Sequence, residues 1–295
     1  MDAGSLSPLE PVFDGGAQSD AGTADARPAS AALVLARPYR FHVPVRYEPG
    51  KPTPLVILLH GYSASGESQD SYFQLTTLSD ERTFLYAAPD GTLDSAGERF
   101  WNVTDACCNF AGKPIDDVAY LNAVIDDVQS KYTVDPKRIF LIGHSNGGFM
   151  AHRFACDQAD RIAGIATLAG AQWKDASRCQ PTQRPAVLAL HGTLDNIIYY
   201  LGGTTGIGTG KGQYPSANET VTDWAQLNGC THFGQAFPNL DLDTGPGAET
   251  QIRRYSGCAG GAVELWTMDG AGHIPSFRSG FAASVYDFLM AHPKP

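Results

Sequence analysis

Residues Arg138 to Cys156 read RIFLIGHSNGGFMAHRFAC, and this stretch decides the fold. RIFLI is a short apolar run of the kind that fills a buried strand. Gly143-His144-Ser145-Asn146-Gly147 follows, and then an apolar helical pattern from Asn146 to Cys156. A serine at the centre of G-x-S-x-G, between a strand and a helix, sits on a sharp turn in strained backbone geometry. Glycines two before and two after it remove the Cβ atoms that would collide with neighbouring elements. The turn pushes Ser145 Oγ out at the carboxyl end of the sheet. The helix behind it aims its free N–H groups and dipole at the same point, which favours a developing negative charge.

Outward from this turn the chain alternates strand and helix. YRFHVPV from Tyr39, LVILLH at 55–60 and FLYAAPD at 84–90 read as strands. Between Ile115 and Tyr132, apolar residues Ile115, Val118, Leu121, Val124, Ile125 and Val128 recur every three or four positions, which predicts a helix. Strands at Arg138–Ile142, Ile162–Leu168, Ala186–Leu190 and Val263–Met268, with helices at Asn218–Leu227 and Phe277–Ala291, complete an α/β pattern. Such alternation means a mostly parallel sheet covered by helices on both faces. Six glycines within Tyr199–Tyr214 predict a mobile loop. Residues 1 to 37, rich in Ala, Gly, Ser, Asp and Pro, read as a disordered linker ahead of one domain over 38–295. The short space between the strands at 162–168 and 186–190 leaves no room for a large lid.

A serine hydroxyl needs a base, and the base needs an acid to orient it. The strand AVLAL ends in His191-Gly192-Thr193-Leu194-Asp195, and VELWTM ends in Asp269-Gly270-Ala271-Gly272-His273. Both turns follow a strand's carboxyl end, where open α/β sheets place their chemistry. Asp195 and His273 are therefore the candidate acid and base, with Asp269 the rival acid. His60, His144 and His191 lie beside these turns and read as shaping groups. No role is assigned to His42, His152, His232 or His292. Acyl transfer also needs two backbone donors for the oxyanion. Asn146 N–H follows from the turn, and the loop after LVILLH supplies the second, with Tyr62 N–H the choice. Tyr62, Trp101 and Trp173 sit in loops near strand ends and are candidate substrate-binding aromatics.

Composition removes other classes. The 295 residues carry 21 Lys and Arg against 31 Asp and Glu, a net charge of −10. Such a field repels phosphates, so nucleic acid is not an expected partner. No run approaches eighteen apolar residues, so no membrane span is expected. Met1 precedes Asp2 rather than a basic and apolar leader, so no signal peptide is visible. The six cysteines allow fifteen pairings if oxidised, and six reduced thiols in a cytoplasmic protein stay open. None shows C-x-x-C spacing, which leaves a zinc site poorly supported.

LLHGYSASG, the Trp101-Asn102 and Cys107-Cys108 segment, IDDVAYLNAVIDDV, VDPKRIFLIGHSNGGFMAHRFAC, LALHGTLDNIIYY and ELWTMDGAGH together resemble the secreted esterases of the polyhydroxybutyrate depolymerase and feruloyl esterase group, in the α/β-hydrolase superfamily. The likeness runs from about Pro38 to His292. It implies one catalytic domain, Ser145, Asp195 and His273 as its triad, no cofactor, no metal and a secreted, periplasmic or cell-surface protein. His144 stands in place of the Leu or Phe of many relatives, and the 199–214 loop is longer. Under this reading Cys156 pairs with Cys179 and Cys230 with Cys258. For the adjacent Cys107 and Cys108 a vicinal bridge is favoured, with free thiols the alternative. The implied reaction is serine ester hydrolysis through an acyl-enzyme, with a polyester of the polyhydroxyalkanoate type as first choice of substrate and a feruloyl or acetyl carbohydrate ester as second. An exported binding protein on a silenced scaffold is the non-enzyme alternative, and a monomer is favoured.

Overall fold

The computed structural model describes residues 29–205 and 212–295. Its strands, in chain order, are β1 (Arg40–His42), β2 (Thr53–Leu59), β3 (Leu85–Ala88), β4 (Thr92–Leu93), β5 (Arg99–Phe100), β6 (Val134–His144), β7 (Gly164–Leu168), β8 (Ala186–Gly192), β9 (Gly203–Thr205), β10 (Gly212–Tyr214), β11 (His232–Leu240), β12 (Thr250–Ser256) and β13 (Val263–Met268). The helices are α1 (Ala29–Ala36), α2 (Gly66–Phe73), α3 (Leu75–Arg82), α4 (Asp117–Lys131), α5 (Asn146–Asp157), α6 (Ala217–Leu227) and α7 (Phe281–Met290). Nine strands form one sheet in the order β1-β3-β2-β6-β7-β8-β13-β12-β11. From β3 to β13 neighbours are parallel, and the antiparallel pairs lie at the two edges.

The apolar run at 55–59 shows why the sheet has helices on both faces. Successive side chains of a strand point to opposite faces. Leu55, Ile57 and Leu59 enter a core with Leu121 and Val124 of α4, Phe149 of α5 and Trp224 of α6. Val56 and Leu58 enter a second core with Phe73, Leu78 of α3 and Leu289 of α7. No position of the run can be polar, so the strand reads as continuous rather than alternating.

Three expectations change. Of the linker expected over 1–37, residues 1–28 lie outside the described residues, while Ala29–Ala36 is helix α1, packed on α4. Its sequence, ASAALVLA, is apolar, and it lies half-buried on α4 with Leu33 and Leu35 exposed. Arg37 behind it pins the end, with its guanidinium 2.7 Å from Asp117 Oδ1 and 3.4 Å from the Tyr120 ring centroid. The glycine-rich 199–214 segment contains the β9–β10 hairpin; 206–211 lie outside the described residues. Gly212 there lies so close to the Asp105 carbonyl that no Cβ fits, so close approach explains this glycine better than freedom does. The last helix begins at Phe281, because Phe277 is drawn off to stack on Tyr72 and on Phe281 itself.

Candidate active site

Ser145 follows β6 and caps α5 with φ 53° and ψ −121°, a left-handed backbone that side chains avoid. Two glycines make the turn possible. A Cβ on Gly143 would strike the carbonyl of Gly147, and one on Gly147 would strike the carbonyl of Leu59 on β2. Ser145 N–H donates to the Leu168 carbonyl at 2.8 Å, tying the turn to the next strand. Ser145 and His273 line one cavity of about 350 Å³, with Gly61, Tyr62, Tyr72 and Ile274 among its other walls.

His273 Nδ1–H donates to Asp195 Oδ2 at 2.8 Å. Asp195 Oδ1 accepts from the amides of Ile197 and Ile198, both at 2.9 Å. His191 Nε2 lies 3.3 Å from Asp195 Oδ2. Burial works to raise the Asp195 pKa, yet hydrogen bonds from His191 and His273 and the charge of His273 hold it far below the usual carboxylate range. Asp195 is therefore ionised at any working pH. The rival acid is elsewhere: exposed Asp269 accepts from Thr193 Oγ1 at 3.1 Å. The Asp195 and His273 turns are stitched together by their backbones, with Leu194 N–H on the Ala271 carbonyl at 2.9 Å. A Cβ on Gly192 would strike that same carbonyl.

The two candidate oxyanion donors flank the serine. Asn146 N–H is the first amide of α5 and has no intrahelical acceptor. In the facing loop, Gly61 N–H is taken by Gln69 Oε1, Ser63 N–H by Arg99 and Ala64 N–H by Gly61. Among the described residues Tyr62 N–H has no such acceptor. Gly61 packs directly on the serine: a Cβ there would meet Ser145 Cβ at 3.4 Å, an ordinary van der Waals contact.

The aromatic candidates separate. Tyr62 lines the cavity and its hydroxyl donates to Asp94 Oδ2 at 2.7 Å. Trp101 does not line it. Its ring is fully buried against His60 and Tyr120, and its Nε1–H donates to the His60 carbonyl at 3.0 Å. The strand-end position that suggested a binding role is a core position. Trp173 is also buried and lines a neighbouring cavity.

His60 and His144, beside the turns, fit as neutral shaping groups. His60 Nε2 accepts from Gly91 N–H at 2.8 Å, so its Nδ1–H donates to the Gly61 carbonyl at 2.7 Å. His144 Nε2–H donates to the backbone carbonyl of His273 at 3.0 Å, bracing the base's loop. Burial and the neighbouring His273 lower its pKa to about 4. His152, unassigned from sequence, is buried in α5 with its pKa lowered to about 3 by burial, and it accepts from Trp224 Nε1–H at 3.0 Å. The side chain of Asn146 was missed as well: Oδ1 accepts from Trp101 N–H at 2.7 Å and Nδ2 donates to the Trp101 carbonyl at 3.1 Å. Only the turn residue's backbone was legible, since no spacing links positions 101 and 146. Tyr72 was missed for the same reason; its hydroxyl donates to the Pro275 carbonyl at 2.7 Å, two residues beyond His273. Cys156–Cys179, Cys230–Cys258 and the cis-linked Cys107–Cys108 are bonded, with no free cysteine. Among the described residues no cluster of His, Cys, Asp or Glu could hold a metal ion, and no helix is long and apolar enough to cross a membrane.

A serine turn, a histidine hydrogen-bonded to a buried aspartate and a parallel sheet with antiparallel edges define an α/β-hydrolase, and comparison with known proteins agrees. Residues 42–206, more than half of the chain, match the phospholipase/carboxylesterase family, and the chain belongs to it. It is 33% identical over 228 residues to feruloyl esterase B of Piromyces equi, covering 76% of this chain and 40% of that protein. It is 25% identical over 254 residues to feruloyl esterase D of Neurospora crassa, covering 82% and 75%. The fold is similar to that of an acetyl xylan esterase from Aspergillus awamori, with a TM-score of 0.65 at 16% identity over 85% of this chain and 92% of that one. The chain thus spans less than half the length of the first of these relatives.

Proposed function

We propose that this protein is a serine carboxylic ester hydrolase acting on esters borne by plant-type carbohydrates, of the feruloyl or acetyl kind, with residues from about 29 onward as the catalytic unit. The observation that carries the reading is the 2.8 Å hydrogen bond from His273 to Asp195 in a turn whose base shares one cavity with Ser145. In this mechanism His273 Nε2 takes the proton of Ser145, and Oγ attacks the ester carbonyl. Asp195 keeps the proton on Nδ1 and stabilises the imidazolium. The oxyanion draws on the amides of Tyr62 and Asn146, each strong donor worth about 3 kcal/mol or more. His273 then protonates the departing alcohol, and a water activated by the same ring releases the acid.

The feruloyl and acetyl xylan esterase likenesses support a carbohydrate ester ahead of the polyester first expected. Three disulfides in the chain fit an oxidising compartment such as the cell exterior. The test is a panel of methyl ferulate, acetylated xylo-oligosaccharides and polyhydroxyalkanoate oligomers, with S145A as blank. Higher kcat/KM on the first two is expected, and a preference for the polyester oligomers would reverse the substrate reading. A fluorophosphonate probe should label Ser145; an unlabelled protein would mark a binding protein on a silenced scaffold.

A further inference from the structure

A second cavity of about 320 Å³ adjoins the one holding Ser145. Two contacts make the shared wall. Phe110, which lines the second cavity, meets Tyr62 of the first at 5.8 Å between ring centroids. Cys107, also in the second cavity, accepts through Sγ from Asn146 Nδ2 at 3.7 Å, on the residue beside Ser145.

In a chain with ten more acids than bases, this small space is lined by Arg153 and Arg178 against one carboxylate, Asp105. Its amides are spent internally. Asn102 Nδ2 donates to Ile115 and its Oδ1 accepts from Asn109, while Asn109 also serves both backbone groups of Lys113. What remains is donor capacity. Arg153 Nη1 donates to the carbonyls of Asn102 and Val103, neutral acceptors that leave its charge to Asp157 at 3.4 Å. Arg178 uses Nη1 on Asp105 at 3.1 Å and lies 3.6 Å from the Trp173 ring centroid. Trp173 Nε1–H is buried without an acceptor among the described residues. A buried donor without an acceptor costs on the order of 1–3 kcal/mol, so this wall is short of acceptors rather than of donors.

We propose that this cavity is an accessory subsite for a carboxylate carried by the ester substrate, held by Arg178 and Arg153 while the scissile ester lies at Ser145. A guanidinium matches a carboxylate in charge and fork geometry, which neutral hydroxyls do not. The carboxylate could belong to a uronate on the alcohol side or to a dicarboxylic acid on the acyl side.

Kinetics separate these sources: an O-acetyl uronate against the corresponding acetylated neutral sugar, and the hemi-ester of a dicarboxylic acid against a neutral acyl ester. The charged member of one pair should lead, and R178Q should lower that charged-to-neutral ratio of kcat/KM about tenfold, through KM. The kinetic arm rests on the ester hydrolase reading; a binding arm does not. Calorimetry on S145A should detect free D-glucuronate, or succinate, but not D-glucose, with affinity falling as salt rises and lost in R178Q. Equal ratios in both pairs, or calorimetry that shows no difference between charged and neutral probes, would overturn the subsite. An inactive protein that still binds the carboxylate would overturn only the hydrolase reading.

Discussion

The serine turn and the wall of the neighbouring cavity are built by different means. The serine turn is held by backbone packed on backbone, with Gly143 and Gly147 bare so that carbonyls can approach. The segment from Trp101 to Phe110, which walls the neighbouring cavity, is held by side chains reaching across the sequence: Asn146 clasps both backbone groups of Trp101, Arg153 takes two carbonyls, and Asp117 Oδ2 accepts from Asn102 N–H at 2.6 Å. The first kind of wall tolerates almost no change in shape but asks only for the right small residues in a row. The second depends on partners up to 51 positions away and fails when any one is lost. One consequence is that function and stability should divide between them.

The largest effect is expected on the turn side. S145A should lower kcat about 10⁶-fold while leaving the thermal midpoint nearly unchanged; residual esterase activity within a hundredfold of the parent would break the proposed triad. D195N should cost about 10⁴ by losing the tautomer that presents Nε2 to the serine. Its control, D269N, should stay within a few-fold, and the reverse ranking in steady-state rates would transfer the acid's role to Asp269.

On the wall side the loss should be in stability. Trp101 is fully buried, and W101A should cost about 3–5 kcal/mol in denaturant unfolding. A stable W101A that instead raised KM selectively would restore this residue to the substrate surface.

The smallest effect sharpens the turn side's dependence on neutral histidines. His144 and His152 take up protons in the fold only near pH 4 and 3, against about 6.5 in the unfolded chain. Their folded pKa values are lowered, so the unfolded state binds more protons below pH 6.5. Their contribution is complete above that pH and declines as pH falls towards 4, by about 3 kcal/mol for each. Unfolding measured from pH 7 to 4 should show this slope, and H152N should reduce it by about one proton. A variant with an unchanged slope would mean that buried His152 is charged in the fold.

The strands and helices that surround Ser145 could be read almost residue by residue. β13 runs over Val263–Met268 as expected, and α5 begins at Asn146 where the helical period begins. Residues with large local constraints carry their own signature: a glycine where a carbonyl passes, an unbroken apolar run where both faces are buried. The 29–36 segment was misread because its Ala and Ser resemble linker composition, and only docking on α4 with Arg37 at Asp117 makes it a helix. The glycines at 203 and 212 misled in the same way.

From its sequence alone this protein determined its alternating architecture, its serine turn and the turns that carry Asp195, Asp269 and His273, because period and turn chemistry are local properties of a chain. Tertiary structure alone decided that Asp195 rather than Asp269 meets His273, that Trp101 is core while Tyr62 faces the cavity, and that two arginines share one hollow beside the serine. Those outcomes depend on where separate strands end relative to one another in the sheet, a distance that no spacing along the chain records.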